Sequence, residues 1–107
     1  MKHLFFLAFF LLSFSAFSQT QLLAPIESTA TTVSTLFAAS NNTRNYLLVQ
    51  NKGTGIIYVK AGSVHSGTEG VLIPAGGNWE PIQAPLDSIW IKAAAGVQAI
   101  SIIQGNR

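Results

Sequence analysis

The strongest fold signal in the chain is the stretch from residue 45 to residue 60, NYLLVQNKGTGIIYVK. Two strand-length runs rich in β-branched and aromatic residues flank a four-residue turn, residues 52–55, which contains two glycines. This pattern predicts a β-hairpin with strands at 45–51 and 56–60. Both runs are nearly continuous in apolar residues, which is typical of strands covered on both faces.

Shorter strand signals lie on either side of this stretch. The sequence predicts a first strand near residues 31–38, then strands at 71–73, 78–82, 88–93 and 97–104, each bounded by Gly, Pro or polar residues. Pro81 places the strand at 78–82 on a sheet edge, because proline cannot donate a ladder hydrogen bond. About seven short strands at this spacing predict an all-β fold, a small antiparallel β-sandwich or a jelly-roll-like barrel.

Residues 88–93 alternate clearly between apolar and other side chains. Ile89 and Ile91 share one face, and Trp90 lies on the opposite face. Trp90 is therefore either an interface anchor or, if that face is covered, a packed side chain. The interface candidates from the sequence are aromatic: Trp79, Trp90 and Tyr58.

The first 18 residues have the layout of a secretory signal peptide. Lys2 and His3 precede nine unbroken apolar residues, and Ala16 and Ser18 are spaced as at an A-x-A-like cleavage site. The apolar part is shorter than the roughly 20 residues of a spanning helix, so no stable membrane span is expected. A short uncleaved anchor and a buried structural segment remain as alternatives.

Composition and charge restrict the function classes. From residue 19 onward the chain carries five basic and four acidic side chains, without a cluster of Lys or Arg, so we expect no nucleic-acid partner. The chain contains no cysteine, which excludes disulfides. A small, apolar and weakly charged domain tends to associate, and a homo-oligomer is expected.

Residues that could carry chemistry are few. His65 and Glu69 share one glycine-rich loop, but one such pair without a third ligand is far short of a zinc site, and His65 is interpreted as an exposed loop histidine. Gly53 and Gly55 lack the rest of a phosphate-binding motif and are interpreted as hairpin-turn glycines. The sequence therefore predicts no catalytic residue, no cofactor and no metal, and the protein is not expected to be an enzyme.

One protein family shows a similar order of segments. The matching segments are RNYLLVQN at 44–51, GTGIIYV at 53–59, GVLIPAGGNWE at 70–80 and DSIWIKA at 87–93. Over about residues 44–103 the chain resembles small structural proteins of tailed-phage virions. The resemblance implies a non-enzymatic β-sandwich subunit that decorates a capsid or forms part of a tail or fibre, usually as a homo-oligomer.

The sequence thus predicts three segments: a signal peptide or short hydrophobic anchor at 1–18, an extended arm at 19–35 and a β-sandwich domain at 36–107. The predicted function is that of a structural subunit of a larger assembly, virion-like by the resemblance, with neighbouring structural proteins as partners. The alternative is an exported bacterial β-sandwich module for surface adhesion, carbohydrate binding or extracellular filament building. The leader predicts an extracellular location, and the resemblance implies a virion.

Overall fold

The structure, a computed structural model, describes residues 20–107; the predicted leader lies outside these residues. Within them the chain forms nine β-strands and no helix. The strands are β1 (Gln21–Leu22), β2 (Ile26–Ala30), β3 (Thr35–Ala38), β4 (Arg44–Asn51), β5 (Ile57–Ala61), β6 (Val71–Ile73), β7 (Asn78–Trp79), β8 (Ile89–Ala93) and β9 (Gln98–Asn106).

The strands form two antiparallel sheets. Sheet A has the order β1-β9-β4-β7. β2 also pairs with β9, along the same edge as β1 but at a different part of β9. Sheet B has the order β3-β8-β5-β6. The predicted all-β class and the β-sandwich architecture are confirmed.

The core lies between the inner faces of the two sheets. Alternate residues of the long strands point inward, as the two-residue period of a strand requires. Sheet A contributes Leu47, Val49, Ile100 and Ile102, and sheet B contributes Ile57, Val59, Ile73, Ile89, Ile91 and Ala93, all at most 1 % exposed. The predicted inward face of residues 88–93 is confirmed.

The predicted hairpin at residues 45–60 is wrong. β4 pairs with β9 and β7 in sheet A, whereas β5 pairs with β8 and β6 in sheet B. The turn between them carries the chain from sheet A to sheet B. Tyr46 and Leu48 are half-buried on the outer face, so β4 is an amphipathic strand.

Gly53 and Gly55, interpreted above as hairpin-turn glycines, instead make room for the side chain of Gln98. A Cβ atom at Gly53 would lie 2.2 Å from Oε1 of Gln98, and one at Gly55 would lie 2.7 Å from Nε2 of the same side chain. Oε1 of Gln98 accepts hydrogen bonds from the N–H groups of Thr54 and Gly55, both at 2.9 Å. The glycines allow a buried side chain from β9 to approach the loop, which a sequence pattern limited to neighbours does not reveal.

Residues 21–30, within the segment predicted as an extended arm, form β1 and β2 along β9. The chain then crosses to sheet B, and the N–H of Ala93 donates to the carbonyl of Thr31 at 2.7 Å. The strand predicted near residues 31–38 begins at Thr35.

Candidate association surface

Two of the three predicted interface residues lie together on the outer face of sheet B. Trp90 is opposite Lys60 of β5 on one side and Leu36 of β3 on the other. In the next row, Tyr58 is opposite Lys92 and Leu72. Since residues opposite each other in a ladder share a face, these six side chains form two cross-strand rows, which we call the sheet B face.

The sheet B face is apolar at its margins, and its two central strands present two aromatic side chains and two lysines. Leu36 and Leu72, at the two edges, are 47 % and 52 % exposed. Trp90 and Tyr58 are half-buried and are diagonal neighbours, within reach of each other for aromatic side chains. The indole N–H of Trp90 donates to Oγ of Ser88 at 3.1 Å, and that hydroxyl donates to the carbonyl of Gly62 at 3.2 Å.

Trp79, the third candidate, lies elsewhere. It is in β7 at an edge of sheet A, opposite the fully buried Val49. Its side chain is half-buried and packs against the core. The structure therefore separates Trp79 from the pair formed by Tyr58 and Trp90.

A loop of residues 62–70 is held to the side chains of the sheet B face. Nζ of Lys60 lies 3.2 Å from the carboxylate of Glu69, and Nζ of Lys92 donates to the carbonyl of Gly67 at 3.0 Å. The carboxylate of Glu69 also accepts from the N–H of Ser66, and these bonds lower the pKa of Glu69 to about 2. Both lysines therefore have acceptors within the chain.

The interpretation of His65 as an exposed loop histidine is wrong. Its side chain is 8 % exposed, and Nδ1 lies 2.6 Å from Oγ of Ser34. That hydroxyl also accepts from the N–H of His65 at 3.0 Å, while Nε2 is buried and has no hydrogen-bond partner within residues 20–107. Burial lowers the pKa of His65; Lys60 and Lys92 act in the same direction and Glu69 opposes them.

The four sheet edges differ in how open they are. β6 has three residues between Gly70, at φ +96°, and Pro74, and β7 has two residues shortly before Pro81. The register of β3 is broken between Leu36 and Ala38. Short strands, prolines and bulges all limit edge pairing. The fourth edge, formed by β1 and β2, is longer, and within residues 20–107 no strand lies on its outer side.

A shallow apolar groove of about 490 Å³ lies on the outer face of sheet A. Leu22 and Tyr46 line it together with Ile103, and Thr20 and Asn45 close one end, where the Asn45 amide donates to the Thr20 hydroxyl at 2.9 Å. Gly105, opposite both Leu22 and Tyr46, leaves room for it. The Tyr46 hydroxyl donates to Glu80 at 2.7 Å, which raises the pKa of Tyr46.

Arg44 is a buried polar residue that the sequence analysis did not identify. It is 1 % exposed, and its Nε donates to Oε1 of Gln104 at 2.9 Å. The rest of the guanidinium donates to three main-chain carbonyls, those of Ala39, Pro85 and Asp87, at 2.6–2.9 Å. Burial lowers its pKa. Arg44 therefore ties two loops to the ends of β4 and β9 and has a structural role.

Residues 20–107 contain no group of three or more His, Cys, Asp or Glu side chains that could hold a metal ion. In the same part of the chain, no helix has the length and apolarity needed to cross a membrane. Ser34 and His65 resemble the start of a nucleophile–base pair, but the other ring nitrogen of His65 has no orienting partner, and hydrolytic triads need one.

Leu36 and Leu72 are members of the sheet B face that the sequence did not predict. Each is a single exposed apolar residue in a short strand, and only the pairing of β3, β8, β5 and β6 brings them beside Trp90 and Tyr58. The alternation in β8 was the usable signal, because it places Trp90 outward.

No protein-family model matches this chain, and no curated protein matches it. One solved structure with a similar chain is that of Bacillus endospore appendages, which form a family of disulfide-linked pili. The match has 18% sequence identity and a TM-score of 0.49, and it covers 85% of this chain and 92% of that chain. At this level the similarity carries no argument about function, and the present chain has no cysteine.

Proposed function

We propose that this protein is a non-enzymatic structural subunit that associates with copies of itself in an extracellular filament or surface layer. The observation that carries the proposal is the sheet B face, where the diagonal pair Trp90 and Tyr58 is flanked by the exposed Leu36 and Leu72 on a charge-poor domain. Aromatic side chains in such a position are typical anchors of protein interfaces. The extracellular location rests on the leader predicted at residues 1–18.

The remaining surface also favours association. Exposed large apolar side chains occur on both outer faces, in several loops and along the β1–β2 edge; they include Leu22, Val33, Val64, Ile82 and Val97. Of the few charged groups, Lys52 pairs with Glu27, Lys60 pairs with Glu69, and Arg44 is buried. Little charge repulsion is left to keep copies apart.

Carbohydrate binding fits the sheet B face less well than a protein contact. A sugar site needs free donors and acceptors beside its aromatic rings, because each sugar hydroxyl must be hydrogen-bonded when it is buried. Here the indole N–H of Trp90 is already bonded within the chain, and Lys60 and Lys92 each direct at least one ammonium N–H to an acceptor in the loop of residues 62–70. The groups left exposed at the margins are the apolar side chains of Leu36 and Leu72.

The test is light scattering with size-exclusion chromatography over a concentration series, together with electron microscopy of the most concentrated sample. We expect oligomers whose mass grows with concentration. A strict monomer at every concentration would contradict the proposal.

Two variants show whether the sheet B face carries the association. Trp90→Ala and Leu36→Ser should each shift assembly to concentrations roughly tenfold higher, since interface anchors typically contribute more than 1 kcal/mol each. Val97→Ser is the matched control, because Val97 is also an exposed apolar residue, 63 % exposed, but precedes β9 outside this face. Equal effects of Val97→Ser and Trp90→Ala would mean that general surface apolarity, and not this face, drives association.

A further inference from the structure

The hydrogen bonds of β9 determine which backbone groups of β2 are free. The N–H of Lys52 donates to the carbonyl of Ala99, so Ala99 points toward β4. The N–H of Leu23 donates to the carbonyl of Gln104, so Gln104 points toward the β1–β2 side. Because successive residues of a strand point to opposite sides, residues 98, 100 and 102 direct their N–H and C=O groups toward β2.

This alternation extends to β2 through its register with β9. Ile26, Ser28 and Ala30 are opposite residues 102, 100 and 98, so their backbone groups point into the sheet. Glu27 and Thr29, between them, point outward. In residues 20–107 the backbone N–H and C=O groups of Glu27 and Thr29 have no hydrogen-bond partner.

The free part of this edge has defined ends. Pro25 precedes it and has no N–H to donate. Thr31, the next outward residue after Thr29, already accepts the N–H of Ala93 at 2.7 Å. The outward groups of β2 are therefore those of Glu27 and Thr29, which are symmetrically placed about Ser28.

We propose that the β2 edge pairs antiparallel with the β2 edge of a second copy of this chain, about a two-fold axis at Ser28. This pairing rests on the proposed self-association and identifies one of its contacts. Glu27 of each copy lies opposite Thr29 of the other, and each such pair exchanges two backbone hydrogen bonds. Four hydrogen bonds join the two copies, and sheet A continues across the contact.

The register follows from self-complementarity. An axis at Glu27 would set two carboxylates opposite each other and would place Thr29 against Pro25. An axis at Thr29 would place Glu27 against Thr31, whose carbonyl is already bonded. An axis at Ser28 pairs every free group and keeps the carboxylates of Glu27 apart. In each copy that carboxylate accepts from Ser101 Oγ at 2.9 Å and lies 3.2 Å from Lys52 Nζ.

This symmetry is why a second copy fits the edge. A strand from an unrelated protein could bond to the same four backbone groups, but such a contact would not use their symmetric placement about Ser28. The other three edges offer no comparable site, since β3 has a register break and β6 and β7 have three and two residues.

A cysteine at the proposed axis tests the contact directly. Ser28 is exposed and would face Ser28 of the other copy in a non-hydrogen-bonded pair, with Cα atoms about 4.5 Å apart, within the range for a disulfide. The chain has no other cysteine. Oxidised Ser28→Cys should therefore run as a covalent dimer on a non-reducing gel and revert with reductant.

Thr29→Cys is the matched control, because its counterpart in the second copy would be a diagonal neighbour about 7–8 Å away, too far for efficient linkage. Equal cross-linking of the two variants would overturn the proposed pairing. If wild-type protein assembles but Ser28→Cys does not cross-link above the control, the pairing is wrong and the proposed function stands. If wild-type protein is monomeric, both fail.

A second variant tests the hydrogen bonds without a cross-link. The N–H of Thr29 points outward, so Thr29→Pro removes no bond to β9 and should leave the Tm of the monomer nearly unchanged. It removes two of the four bonds between copies and should raise the dimer dissociation constant by roughly tenfold or more. Thr29→Ala keeps the N–H and should match wild type. An unchanged dissociation constant in folded Thr29→Pro would overturn the pairing.

Discussion

Two buried polar side chains, Arg44 and His65, lie in opposite situations. Arg44 is 1 % exposed, and each of its three nitrogens donates to a protein acceptor. His65 is 8 % exposed, and one of its two ring nitrogens has no hydrogen-bond partner in the part of the chain that the structure describes. The comparison teaches that burial alone does not show how a polar group affects stability, because what matters is whether the surroundings satisfy its hydrogen bonds.

The partners of the two residues differ in kind. Arg44 donates mostly to main-chain carbonyls. The fold holds these carbonyls in place, and their dipoles stabilise the positive charge of the guanidinium. His65 is held through the hydroxyl of Ser34, and its loop is tied down by the long side chains of Lys60 and Lys92. We therefore expect the region around Arg44 to open only with the whole domain and the loop of residues 62–70 to open locally.

The largest expected effect comes from removing the guanidinium. Arg44→Met keeps much of the side-chain volume but leaves the carbonyls of Ala39, Pro85 and Asp87 without this donor. We expect the free energy of unfolding to fall by about 3 kcal/mol, measured by urea denaturation. Arg44→Lys, with one nitrogen in place of three, should lose less. A loss under about 1 kcal/mol for Arg44→Met would contradict the role assigned to Arg44.

Asn51 extends the comparison to a buried neutral group with well-satisfied hydrogen bonds. Its amide donates to the carbonyls of Gly55 at 2.7 Å and Ile73 at 3.0 Å, and its Oδ1 accepts the N–H of Gly53. Asn51→Ala should lower the free energy of unfolding by about 2 kcal/mol, since the loop between the sheets loses its anchor. The same denaturation experiment measures it, and an effect larger than that of Arg44→Met would reverse the proposed ranking.

The titration of His65 gives a smaller, local effect. Its pKa is lowered in the folded state, so the open loop binds a proton more readily than the closed loop. Stability of the closed loop is therefore present above the ordinary pKa, about 6.5, and is lost as the pH falls below it toward the lowered value. Glu69, with a pKa of about 2, stays ionised throughout this range.

Hydrogen exchange of the loop amides, corrected for intrinsic rates, measures this opening. Protection of the His65 and Ser66 amides, which donate to Ser34 and Glu69, should decrease a few-fold between pH 7.5 and pH 5, while that of β9 stays constant. His65→Gln carries no titrating ring, and its loop should show no such pH dependence. A pH dependence in His65→Gln equal to that of wild type would assign the effect to another group.

The smallest effect is expected at the exposed pair of Lys52 and Glu27. The ammonium and carboxylate lie 3.2 Å apart, but both side chains are more than half exposed. Solvent and salt screen such pairs, so Lys52→Ala should leave the urea midpoint within experimental error. A clear shift of the midpoint would contradict this expectation and would show that the ion pair stabilises the pairing of β2 with β9.

The sequence predicted the strands better than their partners. The runs predicted at 45–51 and 88–93 correspond to β4 (Arg44–Asn51) and β8 (Ile89–Ala93), and the alternation of Ile89, Trp90 and Ile91 places them on the correct faces. The hairpin failed because Gly53 and Gly55 make room for Gln98, a residue far along the chain, and a local turn pattern does not contain that information. Which sheet each strand joins depends on contacts between residues that are distant in the sequence.

The candidate site was predictable to the same degree. Trp90 and Tyr58 stood out as aromatic residues in strands, but their neighbours Leu36 and Leu72 come from β3 and β6, which only the strand order brings close. The environment of His65 was not predictable, because Ser34, its hydrogen-bond partner, lies in a different loop. Likewise, the free groups of Glu27 and Thr29 emerge from the register of β2 against β9.

The position of β9 has a consequence for how the protein is made. β9 is the last strand of the chain, yet β1, β2 and β4 all pair with it. During synthesis, among the described strands of sheet A, β1 and β2 have no ladder partner and β4 has only the two-residue β7 until residues 98–106 have emerged. Contacts so distant in the sequence make folding slow, and they delay the completion of sheet A until β9 is available.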